Sequence, residues 1–127
     1  METVIGNLQV ARLESMSKAA RQFETAADLV FKALADSDRR RILDRLRVRG
    51  GLTLIELSDR IDMTRQGVTK HIDLLEEAGL VVTRRQGREK LHYLNPVPIH
   101  EIAERWIRPF ERNRLEALRD LKAQLEK

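Results

Sequence analysis

The chain has 127 residues, with 24 Lys and Arg against 20 Asp and Glu, and a formal net charge of +4. That length suits one domain with a single core, and the absence of cysteine excludes disulfides, thiolate metal sites and thiol catalysis. The surplus is small for a nucleic-acid binder, so its position matters more than its size: residues 1–35 carry 4 basic against 4 acidic groups, residues 36–95 carry 13 against 10, and residues 96–127 carry 7 against 6.

Residues 1–20 are mixed. Val4, Ile5, Leu8 and Leu13 hint at a helical face, and the segment reads as an extension that packs on a partner. From about Gln22 the pattern firms. Phe23, Ala27, Val30, Phe31 and Leu34 recur at helical spacing. Asp36-Ser37-Asp38 offers capping side chains for a second helix with Ile42, Leu43 and Leu46 as its apolar stripe, and Gly50-Gly51 ends it. A third helix follows Thr53, which stands three residues before Glu56 as in a capping box. Leu54, Leu57 and Ile61 face inward. Asp62-Met63 makes a tight turn, where Asp tolerates a left-handed backbone. Thr64 then caps a fourth helix whose inner side is Val68, Ile72 and Leu75, widened by Leu74, and Gly79 closes it.

Beyond Gly79 the period changes to two. Val81 to Gln86 and the return "EKLHYLN" read as a β-hairpin around Gly87-Arg88, with Gln86 an alternative member of the turn. "NPVPIHEI" opens a last helical region, in which Pro109 predicts a kink or a break. The expected fold class is mainly α with a small hairpin. Residues 21–95 form the core, and residues 96–127 with the first helix form a dimerisation surface.

Two short helices joined by a tight turn are the helix-turn-helix arrangement, whose second helix enters the major groove of DNA by its front half. Here that front carries Thr64, Arg65, Gln66, Thr69, Lys70 and His71. Arg forks onto guanine and Gln onto adenine, while Thr and Lys suit phosphates or base edges. Asp73, Glu76 and Glu77 come later, where the helix leaves the groove. Gly67 costs up to about 1 kcal/mol inside a helix, and either a close approach or neutral drift accounts for it. The hairpin adds Arg84, Arg85, Arg88 and Lys90 against Glu89. Directly after a helix-turn-helix, a basic hairpin reads as a wing on the flanking DNA backbone, with salt-sensitive binding. Standing by itself, the same hairpin would read as a solvated edge guarded by charge.

Residues from about Val30 to Asn95 resemble the arsenic-repressor (ArsR/SmtB) family of winged-helix transcription regulators. The resemblance rests on "FKALADSDRRRIL", "TLIELSDRIDMTRQGVTKHIDLLEEAGLV" and "RRQGREKLHYLN", about half the chain. The small residue at Gly67, the pair His71-Ile72 and the Glu-Ala-Gly-Leu turn at Gly79 match. Asp62 departs, standing where the family usually has glycine. The resemblance implies a homodimer built from the first and last helices, a partly palindromic double-stranded operator, and repression of nearby genes. Many relatives sense metal through a Cys-containing motif in the third helix. Here that stretch is "TLIELSD", without a thiol.

His100 and Glu104 are four apart on one helix, but two exposed ligands fall short of the three or four a soft-metal site needs, so no metal and no cofactor is expected. His71 is expected to pack or bond at the DNA-facing edge, and His92 to lie on the hairpin beside Tyr93. Phe23, Val30, Phe31, Trp106, Phe110, Leu115, Leu118 and Leu125 exceed what a small winged helix covers, so a two-fold dimer is expected to bury them. The alternative is that they complete the core of one protomer. A winged helix used to bind protein is the rival from another class, and a metal-responsive regulator with non-cysteine ligands is a further one. An enzyme is the weakest reading, since no nucleophile–base pair, phosphate loop or paired carboxylates stand out. No apolar run approaches the roughly 20 residues of a membrane span, and the N-terminus is not that of a signal peptide. A cytoplasmic protein without a membrane partner is expected, with any small-molecule effector unnamed.

Overall fold

The computed structural model describes residues 17–126 other than 60 and 111. The expectation for Val4, Ile5, Leu8 and Leu13 lies outside the described residues. Helix α1 (Lys18–Leu34) starts four residues before the apolar pattern firms, because Ser17 caps it by accepting from the amide of Ala20. Helix α2 (Ser37–Val48) is capped by Asp36, whose Oδ1 accepts from the amides of Asp38 and Arg39 at 2.8 and 3.3 Å. Helix α3 (Leu54–Ser58) opens with the full capping box of Thr53 and Glu56. Helix α4 (Arg65–Glu77) is capped by Thr64, which accepts from the amide of Gly67.

Strands β1 (Val81–Gln86) and β2 (Glu89–Leu94) pair antiparallel, with Gln86 opposite Glu89. Gln86 is therefore in the strand, and the turn is Gly87-Arg88. Gly87 has φ 63° and Arg88 does not have positive φ, the pattern of a two-residue turn with glycine first. Helix α5 (Val97–Trp106) ends before Pro109, and helix α6 (Arg112–Leu125) begins after it. The proline breaks the region into two helices.

One core joins these elements. Val30 and Ala33 of α1, Ile42 and Leu46 of α2, Leu57 of α3, Val68, Ile72 and Leu75 of α4, and Leu80 and Val81 are all buried. The end of α4 is fixed by backbone geometry. Gly79 has φ 75°, its amide bonds to the carbonyl of Glu76, and the amide of Leu80 bonds to that of Leu75, both at 2.9 Å. This is a Schellman closure, with buried Leu80 and Leu75 as its apolar contact. It turns the chain straight from α4 into the hairpin.

The tight turn between α3 and α4 differs from expectation. No described residue other than glycine has positive φ, so Asp62 is not left-handed. The amide of Met63 bonds to the carbonyl of Ile61 at 2.7 Å instead. Gly67 has a packing reason: a Cβ there would meet Met63 Cε at 3.0 Å and Thr64 Oγ1 at 3.3 Å. A third piece of sheet was not foreseen. Leu52 bridges His92, with the amide of His92 on the carbonyl of Leu52 at 2.8 Å. His92 is buried, and its Nδ1 donates to the same carbonyl at 2.9 Å. A single bridged residue has no periodicity for a sequence reading to find.

Candidate nucleic-acid interface

Helix α4 stands on its apolar side, so its opposite side is open. Val68, Ile72 and Leu75 are buried, while Arg65, Gln66, Thr69, Lys70, Asp73 and Glu77 are exposed. At 3.6 residues per turn, Gln66, Lys70, Asp73 and Glu77 lie opposite the buried stripe, and Arg65, Thr69 and Glu76 lie on the flank towards the wing. The side chains of Arg65, Gln66 and Lys70 have no hydrogen bond or ion pair among the described residues. Thr64 is committed as the cap. Thr69 donates its hydroxyl to the carbonyl of Arg65 at 2.8 Å, which leaves its lone pairs free to accept from a base amino group. The amides of Arg65 and Gln66 begin the helix without an intrahelical acceptor, and such amides favour phosphate.

The wing rises beside this helix. Cross-strand pairs share a face, so Arg85, Lys90 and His92 lie on one side of the hairpin and Arg84 and Leu91 on the other. Arg88 occupies the turn. Arg84, Arg85 and Arg88 are exposed and unpaired among the described residues. Lys90 sits directly opposite Arg85, and its ammonium turns to Glu76 of α4 at 3.6 Å. A cleft of about 510 Å³ separates the wing from α3 and α4, with Thr53, Leu54, Arg65, Thr69, Glu76 and Lys90 among its walls.

Of the ten expected DNA-binding residues, one has an acidic partner and one lies off the open face. Lys90 ion-pairs with Glu76 across the cleft at 3.6 Å, with about half of its side chain still exposed. His71 is not on the open face, because it is half-buried on the flank towards α1 and α2. There its Nδ1 accepts from Arg39 Nη1 at 3.2 Å. Arg39 also donates to the carbonyls of Ala33 at 2.7 Å and Lys32 at 3.0 Å, and Arg40 donates to that of Leu34. These arginines close the open carbonyls at the end of α1. Arg45 does the same for α3 through the carbonyl of Leu57 at 2.9 Å. Much of the basic surplus of residues 36–95 thus has a structural role that charge counting does not separate from DNA contact.

Burial alone pushes the Asp36 carboxyl up, but the amides of Arg39 and Asp38 and the charges of Arg39 and His71 hold it below the usual carboxylate range. The ligand atoms of Asp36, Asp38 and His71 lie within 4.8 Å of one another. The guanidinium of Arg39 already stands among them, 3.8 Å from Asp36 Oδ2, so a cation there would meet a fixed positive charge. Glu104 ion-pairs with Arg108 through Oε2, and its Oε1 lies 3.4 Å from His100 Nε2.

The expected dimer residues divide. Val30 is 1% exposed and belongs to the protomer core, which corrects its assignment to an interface. Phe23 is half-buried under the guanidinium of Arg105, 4.8 Å from its ring, and Arg105 pairs with Glu24 at 2.8 Å. Leu115 is half-buried. Phe31 and Trp106 stack with centroids 5.9 Å apart and stay 46% and 47% exposed. Phe110, Leu118 and Leu125 are exposed as well, together with Ile107 and Leu121, which the sequence reading left off the interface.

Comparison with known proteins agrees with this geometry. A family model described as a helix-turn-helix domain matches residues 34–84. The uncharacterized HTH-type transcriptional regulator YuzN of Bacillus subtilis (strain 168) is 43% identical over 86 residues, which are 63% of this chain and 94% of YuzN. The arsenical resistance operon repressor of Escherichia coli (strain K12) is 34% identical over 67 residues, 53% of this chain and 57% of the repressor. The crystal structure of the ArsR family transcriptional regulator RHA00566 superposes with a TM-score of 0.60 at 32% identity, covering 68% of this chain and 87% of that one. With the open face of α4, the wing beside it and these likenesses together, the chain belongs to the ArsR family of winged helix-turn-helix transcriptional regulators.

Proposed function

We propose that the protein is a homodimeric repressor that reads a partly palindromic operator through α4 and braces on the flanking backbone through its wing. The observation that carries this reading is the set of unpaired donors, Arg65, Gln66 and Lys70, at the front of α4 with Arg84, Arg85 and Arg88 on the adjoining hairpin. Arg65 and Gln66 are the base readers. Arg84, Arg85 and Arg88 take phosphates, as does Lys70. Asp73 and Glu77 lie deeper along the same face, where the helix departs from the groove. A winged helix dedicated to protein partners has no need of this arrangement of unpaired cations.

In the same reading, residues 96–127 and the outer side of α1 form the dimer surface around Phe31 and Trp106. Two-fold symmetry would set the two α4 helices about 34 Å apart, one turn of DNA. Repression is the role named for the arsenical resistance relative, and it is carried here as part of the proposal. The test is fluorescence anisotropy with DNA from upstream of the protein's own gene and with random DNA of equal length, at several salt concentrations and with chelator present. Selective binding in chelator is the expected result. Equal, weak binding to both DNAs would remove the operator reading, and recovery of selectivity on adding divalent metals would replace it with a metal-dependent one.

A further inference from the structure

Arg39 touches three helices at once. Its guanidinium closes the carbonyls of Lys32 and Ala33 at the end of α1, stands beside Asp36 at the start of α2, and donates to His71 on α4. It is almost covered, with 12% of its side chain exposed. Because a guanidinium only donates, His71 Nδ1 must carry a lone pair, and the neutral ring holds its proton on Nε2. His92 has the opposite need, since its Nδ1 faces the carbonyl of Leu52 and must donate. The two histidines are therefore required to be different tautomers.

We propose that the Arg39–His71 bond is the brace that holds α4 to the first turn of α2 and, through the guanidinium, to the end of α1, and that protonation of His71 releases it and weakens operator binding. A proton on Nδ1 removes the lone pair that Arg39 needs and sets two cations against each other. The protonated ring has carboxylates nearby, because one ring nitrogen of His71 and an oxygen each of Asp36 and Asp38 lie within 4.8 Å of one another. The His71 ring then donates to a carboxylate at the start of α2, while Arg39 keeps its two α1 carbonyls. α4 keeps a tie to the first turn of α2 and loses the one that runs through the guanidinium to the end of α1. The charged groups placed around His71 are Arg39, Asp36 and Asp38. Lys32 of α1 contributes its carbonyl to the same guanidinium. One turn to either side on α4 lie Gly67, Val68, Leu74 and Leu75, none of them charged. Among the described residues no hydrogen bond or ion pair joins His71 to α3 or to the hairpin.

This inference rests on the DNA-binding reading, and two measurements keep the two separable. The first needs no DNA. Imidazole ¹⁵N–¹H correlation NMR on the full chain, assigned by His71→Gln, should show neutral His71 with its proton on Nε2 and His92 with its proton on Nδ1. The Arg39 Nε resonance should shift together with His71 as the ring titrates. An Nδ1-protonated His71 at neutral pH, or an Arg39 signal indifferent to it, overturns the brace.

The second is operator affinity between about pH 8 and about pH 5, the window in which histidine changes charge. The wild type should lose roughly tenfold in affinity on acidification, the scale of one hydrogen bond to a charged group. His71→Gln, which keeps an acceptor and cannot titrate, should hold its neutral-pH affinity throughout. Affinity that rises on acidification in the wild type and not in the variant would make His71 a phosphate contact and overturn the proposal. A profile unchanged by the substitution would overturn it too. Absence of selective binding at every pH, with the NMR result as expected, would count against the operator reading and leave the brace standing.

Discussion

Arg65 and Lys90 are both exposed cations beside the recognition helix, and the structure gives them different work. Arg65 has no partner among the described residues and stands on the flank of α4 that faces the wing. As a base reader its loss should cost about 1–3 kcal/mol on the operator and relax sequence choice. Competition binding of Arg65→Ala against single-base operator variants checks this, and equal losses on operator and random DNA would remove Arg65 from base reading. Lys90 is committed to Glu76 at 3.6 Å. Arg88→Gln should lower the slope of log affinity against log salt by about 1, as each lost phosphate contact does. Lys90→Gln should leave that slope near the wild-type value, and a drop as large as that of Arg88→Gln would put Lys90 on the backbone instead. The sequence shows which residue types stand at these positions. It does not show that Lys90 has an acid across the cleft, because the pair joins a helix to a strand fourteen residues away.

Elements were legible where their signals are local. Thr53 with Glu56, Thr64, and Gly79 are each read from a few adjacent residues, and each does in the structure what its spacing implies. Signals that depend on distant partners were not legible. The bridge of Leu52 to His92 spans forty residues, and the capping of α1 by Arg39 and Arg40 looks in the sequence like two more charges on a solvated helix. The α3 capping box also gives the fold an acid dependence whose sign can be worked out. The amide of Thr53 first, and its hydroxyl next, hold the Glu56 carboxyl below its ordinary value of 4.5. A depressed folded value means that Glu56 contributes stability above the unfolded value and loses it as pH falls through the folded one. Glu56→Gln keeps a side chain able to bond back to Thr53 and removes the titration. Urea unfolding from pH 7 downward should therefore fall less steeply below about pH 4.5 in the variant than in the wild type. Parallel curves would show that the box has no part in acid sensitivity.

At the scale of the molecule, the protomer leaves its own aromatic surface open. Phe31 and Trp106 stack on each other, yet each is nearly half exposed, and Ile107, Phe110, Leu118, Leu121 and Leu125 extend apolar surface along the C-terminal helices. Exposed apolar surface of this kind is a reason to associate. Pro109 contributes by breaking what would be one helix, so that α5 packs on α1 while α6 sets off separately. The chain has a single tryptophan, half-exposed and stacked on Phe31, so its emission would report on burial of this surface. Diluting the wild type should shift Trp106 emission to the red in step with a fall in mass by sedimentation. The substitution Phe31→Ala keeps the fluorophore and removes its stacking partner. It should weaken the dimer by on the order of 2 kcal/mol, the scale of an aromatic anchor at an interface. Operator affinity should fall with it, since a monomer holds one half-site, while binding to random DNA should change much less. A Phe31→Ala protein that dimerises as the wild type does would move the two-fold axis away from Phe31 and Trp106 and onto α6, where Leu118, Leu121 and Leu125 would have to form the contact between protomers.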